Sequence, residues 1–135
     1  MDFMNSIQVR SFLEHDIDAV QQLNEKENWK VLVDRAEETL CSWLNSEPAL
    51  VAVSDGEVIG YLRGLTDGTM TLYICELLVK EEYRNNGVAQ QLLRTAHECY
   101  PETRMEMLAT ESSASYYTGQ GFRNFAGFRK TAEEL

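Results

Sequence analysis

Histidine and proline each occur only twice in this 135-residue chain, and cysteine three times, at Cys41, Cys75 and Cys99. No Cys-x-x-Cys pair and no histidines at ligand spacing accompany them, so neither a zinc site nor a disulfide framework is expected and no metal is assigned. The three thiols read as reduced core or near-core side chains. Glu76, next to Cys75, would raise that thiol's pKa and work against a reactive thiolate. His15 and His97 stand alone and read as surface or half-buried side chains. Positive charge is also short: 12 Lys and Arg face 22 Asp and Glu, a formal net charge of −10. That deficit argues against a nucleic-acid partner, because phosphate backbones need clustered cations. The acid excess is steepest in residues 1–50, with ten Asp and Glu against four Lys and Arg, a distribution that either draws a cationic ligand or serves as a solvated surface. Long apolar runs are missing as well. Ala49 to Val53 and Leu77 to Val79 fall far below the roughly 20 residues that span a bilayer. Met1 to Ser6 lacks the basic-then-apolar order of a signal peptide. No membrane partner is expected, and the location is expected to be cytoplasmic.

The length suits one domain over residues 1–135, built around one core. Ser6 to Phe12 alternates apolar and polar residues as a half-buried strand does. Asp16 is a candidate N-cap for a helix carrying Ile17, Val20 and Leu23 that fades near Asn28 and Trp29. A second helix is predicted from about Asp34 to Leu44, with Ala36, Leu40, Trp43 and Leu44 on one face and Pro48 closing it. Ala49–Val53 and Val58–Leu65 read as strands joined at Asp55-Gly56, a hairpin signal. Thr66-Asp67-Gly68-Thr69 repeats the device before a third strand, Met70 to Val79. Val88, Leu92, Leu93 and Ala96 share a helical stripe ending before Pro101. Arg104 to Ala109 follows as a strand, Ser113 to Thr118 as a short helix and Phe122 to Arg129 as a closing strand. The predicted order is β-α-α-β-β-β-α-β-α-β, a mixed α/β layer.

Between the third strand and the long helix lies Arg84-Asn85-Asn86-Gly87-Val88-Ala89. A loop entering a helix presents N–H groups without intrahelical acceptors at the positive end of the dipole, which is a site for phosphate. Gly87 permits φ > 0 or close backbone approach, and Ala89 is nearly as small. The segment matches the Gln/Arg-x-x-Gly-x-Gly/Ala signature of the GCN5-related N-acetyltransferases. Cys75-Glu76-Leu77-Leu78-Val79 resembles the acidic strand that precedes that loop in the family. Tyr116-Tyr117-Thr118-Gly119-Gln120-Gly121-Phe122 resembles its later aromatic-Tyr-x-x-x-Gly-Phe segment. The three matches fall in order between residues 72 and 122.

The resemblance implies the acyl-coenzyme A N-acyltransferase fold, with acetyl-coenzyme A as cosubstrate and no metal. Its pyrophosphate would lie on Arg84, Asn85, Asn86, Gly87, Val88 and Ala89. Pantetheine would insert where the fourth and fifth strands splay, bonding the backbone of Leu78 and Val79, with a bulge expected in that strand. Thr110 stands where many relatives place an Asn touching the coenzyme. The cradle is poor in cations: Asn85, Asn86 and Gln90 occupy places that are often Lys or Arg, leaving Arg84 alone and shifting the burden to backbone N–H groups.

Acetyl transfer to an amine requires the amine deprotonated, the oxyanion stabilised and the thiolate protonated. By the resemblance, Tyr117 is the general acid at the sulfur, its phenolic pKa near 10 keeping the proton available; otherwise Tyr116 and Tyr117 are packing residues. By alternation Glu76 would keep company with Leu72 and Ile74, where an unpaired carboxylate has a raised pKa suited to a base, directly or through water. The other readings are an anchor for the substrate ammonium and a salt bridge to Arg63 in the neighbouring strand. Trp29 and Trp43 fall in helices that border the family's acceptor site, and either receive an aromatic or alkyl amine or pack. The function expected is transfer of an acetyl group to the primary amine of a small molecule, by direct transfer in a ternary complex. The alternatives are a module that binds acyl-coenzyme A without turnover and a transferase for a protein or peptide amine. A homodimer is compatible with the exposed edge of the closing strand.

Overall fold

The structure, a computed structural model, describes residues 7–135; the predicted start of the first strand at Ser6 lies outside them. The elements are β1 (Ile7–Ser11), α1 (Ile17–Lys26), α2 (Lys30–Asp34), α3 (Ala36–Leu44), β2 (Ala49–Ser54), β3 (Glu57–Thr66), β4 (Thr71–Val79), α4 (Val88–Cys99), β5 (Arg104–Met107) and α5 (Glu111–Gly119). The strands form one sheet in the order β1-β2-β3-β4-β5, antiparallel from β1 to β4 and parallel between β4 and β5. Both predicted hairpins form. Asp55 and Gly56 turn the first with φ of 50° and 79°, the left-handed pair that matches strand twist. In the second, Asp67 Oδ1 accepts from the backbone N–H groups of Thr69, Met70 and Thr71.

Each face of the sheet carries its own apolar layer. Ile7, Leu50, Ala52, Ile59, Leu62, Leu72 and Ile74 pack with Val88, Leu92, Leu93 and Ala96 of α4, the stripe expected of that helix. On the other face Val51, Tyr61 and Leu78 pack with Val20, Leu23 and Trp43. A polar network ties this face to its helices. The hydroxyl of Tyr61 donates to Asn24 Oδ1, and Asn24 Nδ2 donates to Gln21 Oε1 at 2.9 Å. Gln21 Nε2 and Thr39 Oγ1 then both donate to the Leu32 carbonyl, at 2.9 and 2.7 Å. Tyr61 and Asn24 are fully buried, where unpaired polar groups would cost stability.

Several expectations are corrected. The second helix starts four residues early and breaks at Arg35 (φ −94°, ψ 61°). Val31 and Val33 are weak helix formers, and the Leu32 carbonyl is taken by two side chains. Asp16 makes no side-chain cap to α1; its carboxylate receives Arg10 at 2.8 and 3.0 Å and the Leu13 N–H at 2.8 Å. Cys41 and Cys99 are exposed, and Cys75 alone is half-buried. Phe122 to Arg129 forms no strand, so the described sheet has five strands and not six. The three-residue spacing of Phe122, Phe125 and Phe128 would put Phe125 on the opposite strand face from the other two, and one sheet face does not bury all three.

Candidate active site

β4 and β5 pair only from Thr71 to Ile74, opposite Arg104 to Met107, whereas β4 runs on to Val79. A wedge therefore opens beside Cys75 to Val79, where the ladder toward β5 has ended. The expected bulge sits at the same place. Ile74 pairs with Gly64 and Glu76 with Arg63, leaving Cys75 as the extra residue. An extra residue reverses alternation beyond it. Leu72 and Ile74 face α4, whereas Leu78 lies in the layer facing α1 and α3.

This reversal corrects the placement of Glu76, which follows Leu78 and not Leu72 and Ile74. It is held by Arg63, whose Nε and Nη2 donate to its two oxygens at 2.7 Å each. Arg63 Nη1 also donates to Ser46 Oγ at 3.0 Å. Side-chain exposures of 15% for Arg63 and 17% for Glu76 leave the pair a narrow edge to solvent. Nearby, burial pushes the Tyr61 phenol well up, with the charge of Glu76 adding to it. Burial also raises the Cys75 thiol, against the opposing influence of Arg63, and Glu76 adds to the rise. Cys75 is thus kept as a thiol mainly by desolvation, with the neighbouring carboxylate in a lesser part.

Tyr117 approaches from the other side of the sheet. Its ring packs, half-buried, against the layer under α4, edge-on to Tyr116 at 5.2 Å and to Phe122 at 5.6 Å. The Phe122 N–H donates to the Tyr117 carbonyl at 3.0 Å, closing the turn after α5. Burial raises the phenol's pKa, with Tyr116 adding, so the group holds its proton more firmly than a free tyrosine. Glu76 and Tyr117 thus lie on opposite faces of the sheet, with β4 between them.

The turn into α4 has the predicted backbone. Asn85 and Gly87 are left-handed (φ 65° and 80°), and no side chain caps the helix, so its first N–H groups lack intrahelical acceptors. Asn86 Nδ2 donates to the Arg84 carbonyl at 2.8 Å. Val88 is buried as the first residue of α4, and Ala89 packs partly against the same layer. Arg84 is folded back: its Nε donates to the Val79 carbonyl at 2.9 Å and its Nη2 to Glu27 Oε2 at 2.6 Å. One of the backbone acceptors assigned to pantetheine is therefore engaged by the cradle's own cation. A shallow groove lined by Leu23, Glu27, Leu78, Val79, Lys80 and Arg84 runs across this junction.

Other expected residues are drawn into local structure. Thr110 opens α5, its carbonyl accepting from Ser113 and Ala114 N–H and its hydroxyl meeting the Ser112 and Ser113 hydroxyls at 3.0 and 3.1 Å. Trp29 is half-buried against the α1–α3 layer. Trp43 is buried between Phe12 and Tyr61, at ring distances of 4.6 and 5.1 Å, and packs. Ser46 and Glu27 escaped the sequence reading because their partners lie 17 and 57 residues away, beyond any local pattern. Among the described residues no group of three or more His, Cys, Asp or Glu is gathered as a metal site would require.

A family model described as an acetyltransferase (GNAT) domain matches residues 45–124. Among solved structures the chain is similar to a GNAT family acetyltransferase of Streptococcus pneumoniae, with TM-score 0.71 and 19% identity over 95% of this chain and 98% of that one. It is also similar to an aminoglycoside acetyltransferase from an uncultured soil metagenomic sample, solved in complex with sisomicin (TM-score 0.71, 14% identity, 96% and 99% covered). A third is the PaiA N-acetyltransferase of Thermoplasma acidophilum in complex with coenzyme A (TM-score 0.64, 19% identity, 87% and 90% covered). At these identities the structural likenesses speak for the fold. No curated protein matches by sequence.

Proposed function

Because the chain belongs to the GNAT acetyltransferase family, we propose that it moves an acetyl group from acetyl-coenzyme A to the primary amine of a small molecule by direct transfer in a ternary complex, in the cytoplasm. The observation that carries this reading is the wedge. β4 outruns its pairing with β5 by five residues, Cys75 to Val79, and then leads into an uncapped helix behind a left-handed glycine. A strand edge that has outrun its ladder suits an amide-bearing arm, and a helix N-terminus suits a pyrophosphate. The coenzyme A complex of the Thermoplasma neighbour supports the same cosubstrate, and the sisomicin complex of the metagenomic one supports a small amine acceptor.

Acetyl-coenzyme A supplies an activated thioester when bound; the chain holds it and manages protons. Leu78 and Val79 offer backbone groups to the pantetheine arm. The turn from Asn85 to Ala89 receives the pyrophosphate, with Arg84 joining when it leaves Glu27 and Thr110 at the margin. Tyr117, a half-buried phenol that keeps its proton, gives it to the departing sulfur. Glu76 holds the acceptor nitrogen on the opposite side of β4. Both its oxygens already accept from Arg63, so it anchors the acceptor nitrogen first and takes the amine's proton only through a relaying water. Trp29 and Arg63 border the acceptor. Fixing both reactants in line supplies on the order of 7–11 kcal/mol of the barrier at the upper end.

One observation favours a second reading. Arg84, the cation of the cradle, is engaged with Glu27, as befits a module that binds acyl-coenzyme A weakly without turnover. Calorimetric titration with acetyl-coenzyme A and coenzyme A, followed by thiol release over arylalkylamines, polyamines and peptides, decides between them. Binding with turnover on a small amine is expected. Turnover only on peptides points to a protein acceptor, binding without turnover points to the module, and no binding at millimolar ligand refutes the coenzyme site.

A further inference from the structure

Arg63 has a third contact beyond its two to Glu76. Its Nη1 donates to Ser46 Oγ at 3.0 Å. Ser46 is half-buried just past the end of α3, and its own hydroxyl donates to the Ser42 carbonyl at 2.5 Å. A hydroxyl carries one proton, so toward Arg63 the Ser46 oxygen acts only as an acceptor. Ser42 repeats the device, its hydroxyl donating to the Thr39 carbonyl at 2.7 Å. The last turn of α3 thus aims an acceptor at the guanidinium, and the carbonyl end of a helix favours a cation as well.

The corner after α3 is itself tied to the strand that carries Arg63. The Glu47 N–H donates to the Gly64 carbonyl at 3.1 Å, and the Gly64 N–H to the Pro48 carbonyl at 2.8 Å. Packing there is equally close: a Cβ on Gly64 would lie 3.1 Å from Pro48 Cδ and 3.2 Å from the Tyr73 carbonyl oxygen. Gly64 is also where the register with β4 shifts. Bulge and corner therefore meet beside Arg63.

A bidentate arginine–carboxylate pair fixes its two partners relative to each other but not relative to the fold, because the arginine stem is long and flexible. The contact to Ser46 joins the pair to a different element and stops it pivoting. The pair shows solvent only a narrow edge, so the orientation of the Glu76 oxygens decides what reaches them. We propose that Ser46 is a positioning residue for acetyl transfer: through Arg63 it holds the Glu76 carboxylate in the orientation that receives the acceptor ammonium, an inference that rests on Glu76 being the acceptor's anchor.

The test compares Ser46→Ala and Ser46→Thr with the native chain by thiol release, by calorimetry with coenzyme A and by hydrogen exchange of the Arg63 Nε–H in nitrogen-15 NMR. Ser46→Ala is expected to raise the amine KM about 10-fold, the worth of one hydrogen bond to a charged group. It leaves coenzyme A affinity unchanged and speeds exchange at Arg63, and Ser46→Thr, which keeps the hydroxyl, restores both. In a Glu76→Gln background Ser46→Ala changes KM by less than about 2-fold, since the residues act as one unit. Faster exchange at Arg63 with an unchanged amine KM overturns the proposal and leaves Ser46 a brace of the fold. Unchanged exchange overturns it too, as does an equal loss in the Glu76→Gln background. A native chain that turns over no amine removes the anchor reading and the proposal with it, a failure the native control tells apart from the others.

Discussion

At the scale of single residues, Tyr117 and Asp16 show opposite uses of burial. Desolvation holds the Tyr117 proton in place, which suits an acid. Tyr117→Phe is expected to lower kcat by roughly 100-fold or more with little change in coenzyme affinity, measured by thiol release and calorimetry. The sign of the pH effect follows. The protonated phenol is the working form and its pKa is raised, so the basic limb of kcat falls only above the ordinary tyrosine value near 10. Asp16 goes the other way. Arg10's hydrogen bond lowers its pKa, burial opposes, and the Leu13 N–H helps. Its stabilisation is fully present above the unfolded carboxylate's value near 3.9 and is lost as pH falls through the lowered folded value. Asp16→Asn is expected to cost about 1–3 kcal/mol at neutral pH, a gap in urea midpoints that narrows toward pH 3. Asp16 was legible as a helix-start residue but not as the partner of Arg10, because that contact depends on how β1 meets the turn after it.

At the scale of elements, β4 decides the site. Its apolar run and its Glu76 are plain in the sequence, but one unpaired residue at Cys75 moves Glu76 to the opposite sheet face, into the hold of Arg63. Strand periodicity is a local signal, and a bulge is set by pairing with β3, so alternation counted along the chain fails just there. The turn into α4 was legible for the converse reason: left-handed Asn85 and Gly87 are local necessities. What the turn does with its cation was not. Glu27→Gln is expected to loosen Arg84 from α1 and tighten coenzyme A binding several-fold, read by calorimetry. If affinity stays unchanged or falls, Arg84 is a brace between α1 and β4 and not a phosphate ligand. The brace between α1 and β3 is polar as well. Tyr61→Phe leaves buried Asn24 Oδ1 without its donor and is expected to cost about 1–3 kcal/mol in urea unfolding.

At the scale of the whole molecule, the net charge of −10 sets a long-range field that favours cationic acceptors. Screening shortens from about 10 Å at 0.1 M salt to about 3 Å at 1 M. The KM of a cationic amine is therefore expected to rise with salt, whereas that of a neutral-bodied amine of similar shape rises less, as measured by thiol release at fixed pH. If all acceptors respond alike, the acidic surface serves solubility only.

The mixed α/β order, both hairpins, the apolar stripe of α4 and the glycine turn before it were determined by the sequence alone, since each rests on contacts or dihedral needs within a few residues. Only the tertiary structure decided that β4 bulges at Cys75, that Glu76 is paired with Arg63, that Arg84 reaches back to Glu27 and that Phe122–Arg129 stays outside the sheet. Each of those depends on a partner far along the chain, or on the lack of one. A side chain's neighbours across a sheet are fixed by register and burial, which no local pattern encodes.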